Sequence, residues 1–268
     1  MELAKLKNSQ EQVIIQITDT HLMDHADAEF VNMNPEKHFH AVMDDVLMRY
    51  PQIDAFIHTG DLAQVPRIET YKRYQAYMDT LNIPYFQIPG NHDDSLYFPF
   101  HTPEPNPTVV DLDPWCIILL NSAVKGKTDG MITTEQLTLL SQVLEEKKDK
   151  FVILACHHHP FDMHSQWLDQ HKLKNTDDLT TILEQYTNIK AVLFGHVHQE
   201  SDRLWNNTQF LSTPATCVQF KPQSDNFALD EITPGYRCLH LTDHGELITK
   251  VHRLENFGIT INKEISGY

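Results

Sequence analysis

Two rhythms of apolar residues alternate along the first two thirds of this chain. Residues 13–17, 54–58, 85–88, 115–120, 151–155 and 191–194 are short apolar runs of strand length. Between them the apolar positions fall at helical spacing. Phe39, Val42, Met43, Val46, Leu47 and Tyr50 share one face over 36–50, and Tyr71, Tyr74, Met78 and Leu81 mark a second helix. Thr133 and Gln136 have capping-box spacing ahead of a third, through Leu137, Leu140 and Leu144. A fourth runs over Leu179, Ile182, Leu183 and Tyr186. Residues 95–114 carry five prolines and no period, which predicts a loop or lid. After 198 the chain changes to short strands joined by turns at Asn206-Asn207 and Asp243-His244-Gly245, an antiparallel pattern. The alternation predicts a single α/β domain over 1–268 with mixed sheets.

Five of the strands stop at polar residues of one kind. They end in Asp19-x-His21, Gly60-Asp61, Gly90-Asn91-His92-Asp93, His157-His158-His159 and Gly195-His196-x-His198. Ligands of open α/β sheets bind beyond the strands' carboxyl ends, so residues spread over most of the chain can meet there. Each fragment also has a plain structural reading. Asp19 or Asp61 fits a helix cap, the triple His fits a solvated turn, and His196 and His198 fit one side of an extended segment. Five such coincidences at equivalent positions are a poorer account than a joint dinuclear metal site. Oxygen and imidazole donors without thiolates suit Mn, Fe, Zn or Co. Gly90 lets the backbone approach a ligand closely.

Composition narrows the partners. The 268 residues are 41% hydrophobic, enough for a large core, and 37 acidic against 21 basic residues leave a formal charge of -16. That field disfavours nucleic-acid polymers and anionic membranes, and no apolar run approaches a membrane span. Residues 1–12 are polar and lack the apolar centre of a secretory signal. Cys116, Cys156, Cys217 and Cys238 are scattered without a CxxC pair, so reduced buried thiols and a cytoplasmic location are expected. No G-x-S-x-G elbow or P-loop motif is present.

The ordered motifs over 19–198 resemble the calcineurin-like metallophosphoesterase superfamily. One branch is resembled more fully, the bacterial class III 3',5'-cyclic AMP phosphodiesterases. Its marks here are Gln16 to Leu22, His157-His158-His159-Pro160, Trp167-Leu168-Asp169, Gly195 to Glu200, Thr213 to Phe220 and Pro234 to Arg237. The resemblance implies a four-layer α/β/β/α sandwich with mixed sheets and a dinuclear site at the strand carboxyl ends. Residues 13–198 then carry the ligand motifs, and 199–268 complete the fold and supply a substrate-side segment. It further implies one ion on Asp19, His21, Asp61 and His198, and a second on Asp61, Asn91, His157 and His196, with Asp61 bridging. His157 is preferred within the triple His because it comes first after the strand and Pro160 lies three positions on. The ions expected are Fe and/or Mn, with Zn, Co and Mg also admitted.

The activity implied is hydrolysis of 3',5'-cyclic AMP to 5'-AMP by a hydroxide bridging the two ions. His92 is the catalytic candidate, as phosphoryl stabiliser or leaving-group acid, and Asn91, His92 and His21 are the substrate-binding candidates. Asp93 and Asp94 read as orienting or structural groups. Phe220, Phe227 and Tyr236, with Gln219 and Arg237, are the candidate nucleoside wall. The competing readings are a broader metallophosphoesterase for other small diesters or nucleotides, and a metal- or nucleotide-binding sensor without turnover. Oligomeric state is left open.

Overall fold

The computed structural model describes residues 11–100, 105–259, 261–262 and 267. In chain order the elements are β1 (Gln12–Ile17), α1 (Pro35–Arg49), β2 (Ala55–His58), α2 (Ile68–Thr80), β3 (Tyr85–Gln87), β4 (Thr108–Leu112), β5 (Trp115–Leu119), α3 (Thr134–Glu146), β6 (Phe151–Ala155), a 3-10 turn (Leu168–His171), α4 (Thr176–Leu183), β7 (Ile189–Phe194), β8 (Ser201–Trp205), β9 (Thr208–Ser212), β10 (Gln219–Phe220), β11 (Leu229–Asp230), β12 (Gly235–Leu241) and β13 (Leu247–Arg253). Helix termini follow local chemistry. Asn34 caps α1 by accepting from the Lys37 N–H at 2.7 Å, and Pro51 stands just beyond that helix, where it cannot continue it. Thr133 caps α3 in the same way, but Gln136 makes only half of a capping box. Its Oε1 accepts from the Asn121 N–H at 2.8 Å instead of turning back to Thr133.

Two mixed sheets result, in the orders β13-β12-β1-β2-β3 and β4-β5-β6-β7-β9-β8, with β10 and β11 as a separate ribbon. Strand periodicity of two explains the layering. Ile14, Ala55 and Ile57 of the first sheet meet Ile117, Leu119, Ile153, Ala155, Ala191 and Leu193 of the second. Their sequence neighbours Ile15 and Phe56 face α1 and α2 through Phe39, Val42, Tyr71 and Tyr74. On the far side Ile118, Val152 and Leu154 face α3 and α4 through Leu137, Leu140, Leu179 and Leu183. Three apolar layers thus hold four structural layers, α/β/β/α. Each fully buried Leu, Ile or Phe contributes about 1.5–3 kcal/mol.

Two expectations need correction. Residues 108–112 form an edge strand, antiparallel to β5, and Phe98 is 2% exposed and packs edge-to-face on Tyr71. The lid expected over 95–114 is therefore anchored at both ends, and its residues 101–104 lie outside the described residues. The C-terminal third is not wholly antiparallel either, because β9 pairs parallel with β7. A two-residue turn at Asn206-Asn207, both at positive φ, sends the chain back from β8 to make that pairing possible.

All four cysteines are buried and free. Alkylation of the denatured protein without reductant is expected to label all four thiols, and a mapped disulfide between any two would contradict this. Among the described residues no helix is long and apolar enough to cross a membrane.

Candidate metal centre

β1, β2 and β3 are neighbours in one sheet, and β6 and β7 in the other, all five running parallel to their neighbours in that group. Their carboxyl ends therefore open on the same edge of the sandwich. Beyond the strands the loops bond to one another. The N–H groups of Asp19 and His21 donate to the carbonyls of Gly60 and Asp61 at 3.0 Å each, Gly195 N–H donates to His157 O at 3.1 Å, and Thr216 N–H to Thr18 O at 3.1 Å. Asp93 organises the third loop. Its carboxylate accepts from the N–H groups of Leu62, Ala63 and Gly90 and from the Tyr71 hydroxyl, all within 3.1 Å. Neither Asp19 nor Asp61 caps a helix, because the cap positions of α1 and α2 belong to Asn34 and Arg67.

Asp19, His21, Asp61, His196 and His198 all sit at positive φ, between 47° and 67°. Left-handed backbone at non-glycine residues costs about 1–3 kcal/mol each and concentrates at functional sites. The segment 195–198 is consequently not extended. His196 and His198 turn toward different neighbours, His157 and His21. Gly90 and Gly195 have no room for a side chain. A Cβ on Gly90 would collide with Asp61 Oδ1 and one on Gly195 with Thr18 Oγ1. The close approach predicted at Gly90 is thus to the Asp61 carboxylate.

Hydrogen bonding on the far nitrogen sets the outlook of each imidazole. His21 Nδ1 lies 2.7 Å from Gln64 Oε1, His198 Nδ1 2.7 Å from Val218 O and His157 Nδ1 2.7 Å from Thr59 O. Each bond needs Nδ1–H as donor, which leaves a lone pair on Nε2. Those lone pairs converge. His21 Nε2 and His198 Nε2 are 3.2 Å apart, and His198 Nε2 is 3.2 Å from Asp19 Oδ1. His21 Nε2 is 3.7 Å from Asp61 Oδ2. On the other side His157 Nε2 lies 3.2 Å from Asp61 Oδ2, 3.3 Å from Asn91 Oδ1 and 3.2 Å from His196 Nδ1. Asp61 Oδ2 faces both groups, while its Oδ1 accepts from His92 N–H at 2.8 Å. Acceptor atoms facing one another at these distances repel unless a proton or a cation sits among them.

Of the triple His, His157 is the one turned to Asp61. His158 Nδ1 pairs with Ser122 Oγ at 2.8 Å, and His159 Nε2 stands 3.7 Å from Asp169 Oδ1. His158 still belongs to the same buried group as His157 and His196, with candidate ligand atoms within 4.8 Å of one another.

Electrostatics agree with a cation site. Burial opposes ionisation of Asp61, but His157, His92 and His21 outweigh it and hold the carboxyl well below its usual range. Burial pushes His21 down to about 3 and His196 well below its ordinary value. Burial acts the same way on His157, yet the Asp61 carboxylate reverses it and lifts the ring to about 9. Ionised carboxylates in a dry pocket need a positive charge beside them, which a proton on His157 supplies and a bound cation would replace, while His21 and His196 stay neutral. The donors fit divalent ions of the Mn, Fe, Co and Zn type.

His92 is half-buried at the rim, its ring 4.9 Å from that of His21. A cleft of about 310 Å³ opens here, with Asp61, Asn91 and His196 at its floor, His92 at its rim and Trp167, Phe220 and Phe227 on its wall. Thr128, His171 and Asn226 add polar edges. Trp167 stands edge-to-face on Phe220 and Phe227, with centroids at 5.1 and 5.2 Å. Tyr236 does not join this wall. It is 0% exposed, stacked on His252 and bonded through its hydroxyl to Asp45 Oδ2 at 2.9 Å. Gln219 and Arg237 are spent on backbone and side-chain partners in the interior, among them Ala215 O and Ser212 O. Sequence reasoning placed Trp167 only within a resembling motif. The signal available was Asp169, whose carboxylate accepts from Met163 and Ser165 N–H groups and shapes the turn that presents Trp167.

Residues 13–200 match the family model described as calcineurin-like phosphoesterase. The 3',5'-cyclic adenosine monophosphate phosphodiesterase CpdA of Haemophilus influenzae is 36% identical over 95% of this chain and 94% of that protein. The enzyme of the same name from Escherichia coli K12 is also 36% identical, with the same coverage, and that from Pseudomonas aeruginosa is 32% identical over 96% of this chain and 95% of its own length. Among solved structures, purple acid phosphatase PPD1 of yellow lupin superposes with a TM-score of 0.68 at 16% identity, covering 91% of this chain and 52% of that one. A dimetal phosphatase of Danio rerio gives 0.60 at 13% identity, covering 89% and 98%. At such identities the structural likeness speaks for the fold.

Proposed function

The chain belongs to the calcineurin-like phosphoesterase family, and from that premise we propose that it hydrolyses 3',5'-cyclic AMP to 5'-AMP at a two-ion centre. The observation that carries this reading is the convergence of Asp19, His21, Asp61, Asn91, His157, His196 and His198 on one another, with Asp61, Asn91 and His196 opening onto an aromatic-walled cleft. Asp19, His21, Asp61 and His198 would hold one ion and Asp61, Asn91, His157 and His196 the other, with Asp61 Oδ2 shared. Two such ions supply an activated water and a clamp on the phosphoryl oxygens. Against two carboxylates they leave about +2, the local positive charge that an acidic protein needs to attract a phosphate.

This chain's own residues do the rest. Asn91 lines the cleft where the phosphoryl group would sit, with His21 buried behind it, and His92 is the rim group able to donate a proton. Water adds to phosphorus and releases a proton to solvent, the P–O3' bond breaks, and His92 gives the departing 3'-oxygen its proton and regains one from solvent. Fe and Mn are the ions we infer, and four free buried thiols support a reducing, cytoplasmic setting. The test is hydrolysis of cAMP, cGMP and 2',3'-cAMP by metal-stripped protein restored one ion at a time. Chelation is expected to abolish turnover and Mn or Fe to restore it on cAMP. Undiminished hydrolysis by protein shown to be metal-free would end the reading.

Base recognition falls to the wall. Aromatic stacking on a base is worth about 1–3 kcal/mol, so Trp167→Ala and Phe227→Ala are each expected to lower kcat/KM for cAMP about 5- to 150-fold. Bis-p-nitrophenyl phosphate, whose hydrolysis needs only the ions, should be affected much less. Phe220 is a poorer probe because it also stacks on His198 at 4.0 Å. Equal losses on both substrates would make the wall scaffold.

A second reading has one feature in its favour. Another cleft, of about 420 Å³, shares Asn91 and His92 with the first and carries Asn121 and Lys125. A cyclic nucleotide has both ester arms on one ribose and fills one cleft, whereas a linear diester has a second arm for the other. Faster turnover of linear diesters than of cAMP would favour that broader activity.

A further inference from the structure

The donor set read from sequence lacks a thiolate, but the fold brings one in. Cys217 Sγ, a nitrogen of His21 and a nitrogen of His198 all lie within 4.8 Å of one another, and all three residues are buried. Of the four cysteines, Cys217 alone belongs to such a group among the described residues. Its place there is held by the chain around it. Thr216 N–H donates to Thr18 O at 3.1 Å, Gln219 Nε2 to Cys217 O at 3.2 Å, and the next carbonyl, Val218 O, accepts from His198 Nδ1 at 2.7 Å. Phe220 then stacks on the same imidazole. One short segment therefore both orients the His198 ligand and sets a sulfur beside it.

Geometry permits the sulfur to join the site. Ligands of one ion, with metal–nitrogen and metal–sulfur bonds of about 2.1 and 2.3 Å, stand at most about 4.4 Å apart. The His21 and His198 lone pairs point to a common position, and the thiol belongs to the same group, within 4.8 Å of a nitrogen of each ring, so a small side-chain adjustment brings it to such an ion. Resting on the two-ion reading above, we propose that Cys217 Sγ is a further ligand of the ion held by Asp19, His21, Asp61 and His198, and that it makes this position select a thiophilic ion. Coordination replaces the S–H bond by a sulfur–metal bond, and the proton leaves to water. Soft thiolate donors favour Fe, Co and Zn over Mg and Mn. The other position, with Asp61, Asn91, His157 and His196, has no sulfur in its group. The two positions thereby acquire different metal preferences within one chain.

The full-length protein loaded with Co²⁺ tests this directly. Elemental analysis should give two ions per chain, and the near-ultraviolet spectrum should contain a thiolate-to-cobalt charge-transfer band. Cys217→Ser should keep both ions and lose the band, while Cys116→Ser keeps it. In competition, Cys217→Ser should lower the preference for Zn over Mn by about tenfold or more, the scale on which ligand changes alter metal affinity. X-ray absorption of the native Zn-loaded protein needs no variant and should find a sulfur scatterer bound to zinc. Two bound ions without the band or the scatterer, or a band that persists in Cys217→Ser, would overturn the proposal and leave the two-ion reading standing. Failure to bind Co²⁺ or Zn²⁺ at all would overturn both. A thiol that only fills space beside His198 predicts the first of these failures.

Discussion

Asp61→Ala should lose both ions and nearly all turnover. Asp61 Oδ2 lies near both His21 Nε2 and His157 Nε2, at 3.7 and 3.2 Å. Its removal takes a charge from each position at once. The same carboxylate, through Oδ1, holds the His92 N–H at 2.8 Å, so the loop carrying His92 should loosen as well. Changes to groups that merely orient a ligand cost about 10–100-fold in metal affinity or activity, and loss of a shared ligand should exceed that. Metal content by elemental analysis, read beside the rate on cAMP, checks the expectation. The two must fall together. Retention of two ions with normal turnover would remove Asp61 from the bridging role. Folding should be followed beside these by circular dichroism, since Asp61 also pairs with His157 and holds the His92 N–H when the ions are gone.

His92→Ala separates chemistry from binding of the ions. Its backbone is tied to Asp61 while its ring stands at the cleft rim beside His21. A general acid typically contributes 10²–10⁴-fold, so kcat should fall by roughly that factor with both ions retained. A leaving group that departs readily without a proton, such as p-nitrophenolate, should be hydrolysed with a smaller loss than cAMP. That split is what a purely structural histidine does not produce. Loss of both ions in His92→Ala would make the residue a ligand instead.

Much of this architecture was legible along the chain because apolar spacing is a local property. Strands 151–155 and 191–194 and the helix faces of Phe39 to Val46 and Leu137 to Leu144 follow from periods of 2 and 3.6, whatever lies elsewhere. So did the candidate ligands, since a polar cluster must follow a buried strand directly if it is to sit at the strand's end. Strand β4 was obscured by the surrounding prolines, and the pairing of β9 with β7 depends on a long-range choice that no local period encodes.

The sequence by itself determined the residue types at five strand ends and the elements that carry them. Tertiary structure decided the rest, because distance and direction between residues far apart in the chain are set only when both sheets pack. It turned His157 rather than His158 or His159 toward Asp61, and it placed five candidate ligands in left-handed backbone. It moved Tyr236 into the interior against Asp45 while bringing Trp167 to Phe220 and Phe227, although all four look alike as aromatics in the sequence. A side chain's neighbours follow from which face of which layer it occupies. For Cys217, beside His21 and His198, that neighbourhood is the whole difference between a filler thiol and a metal ligand.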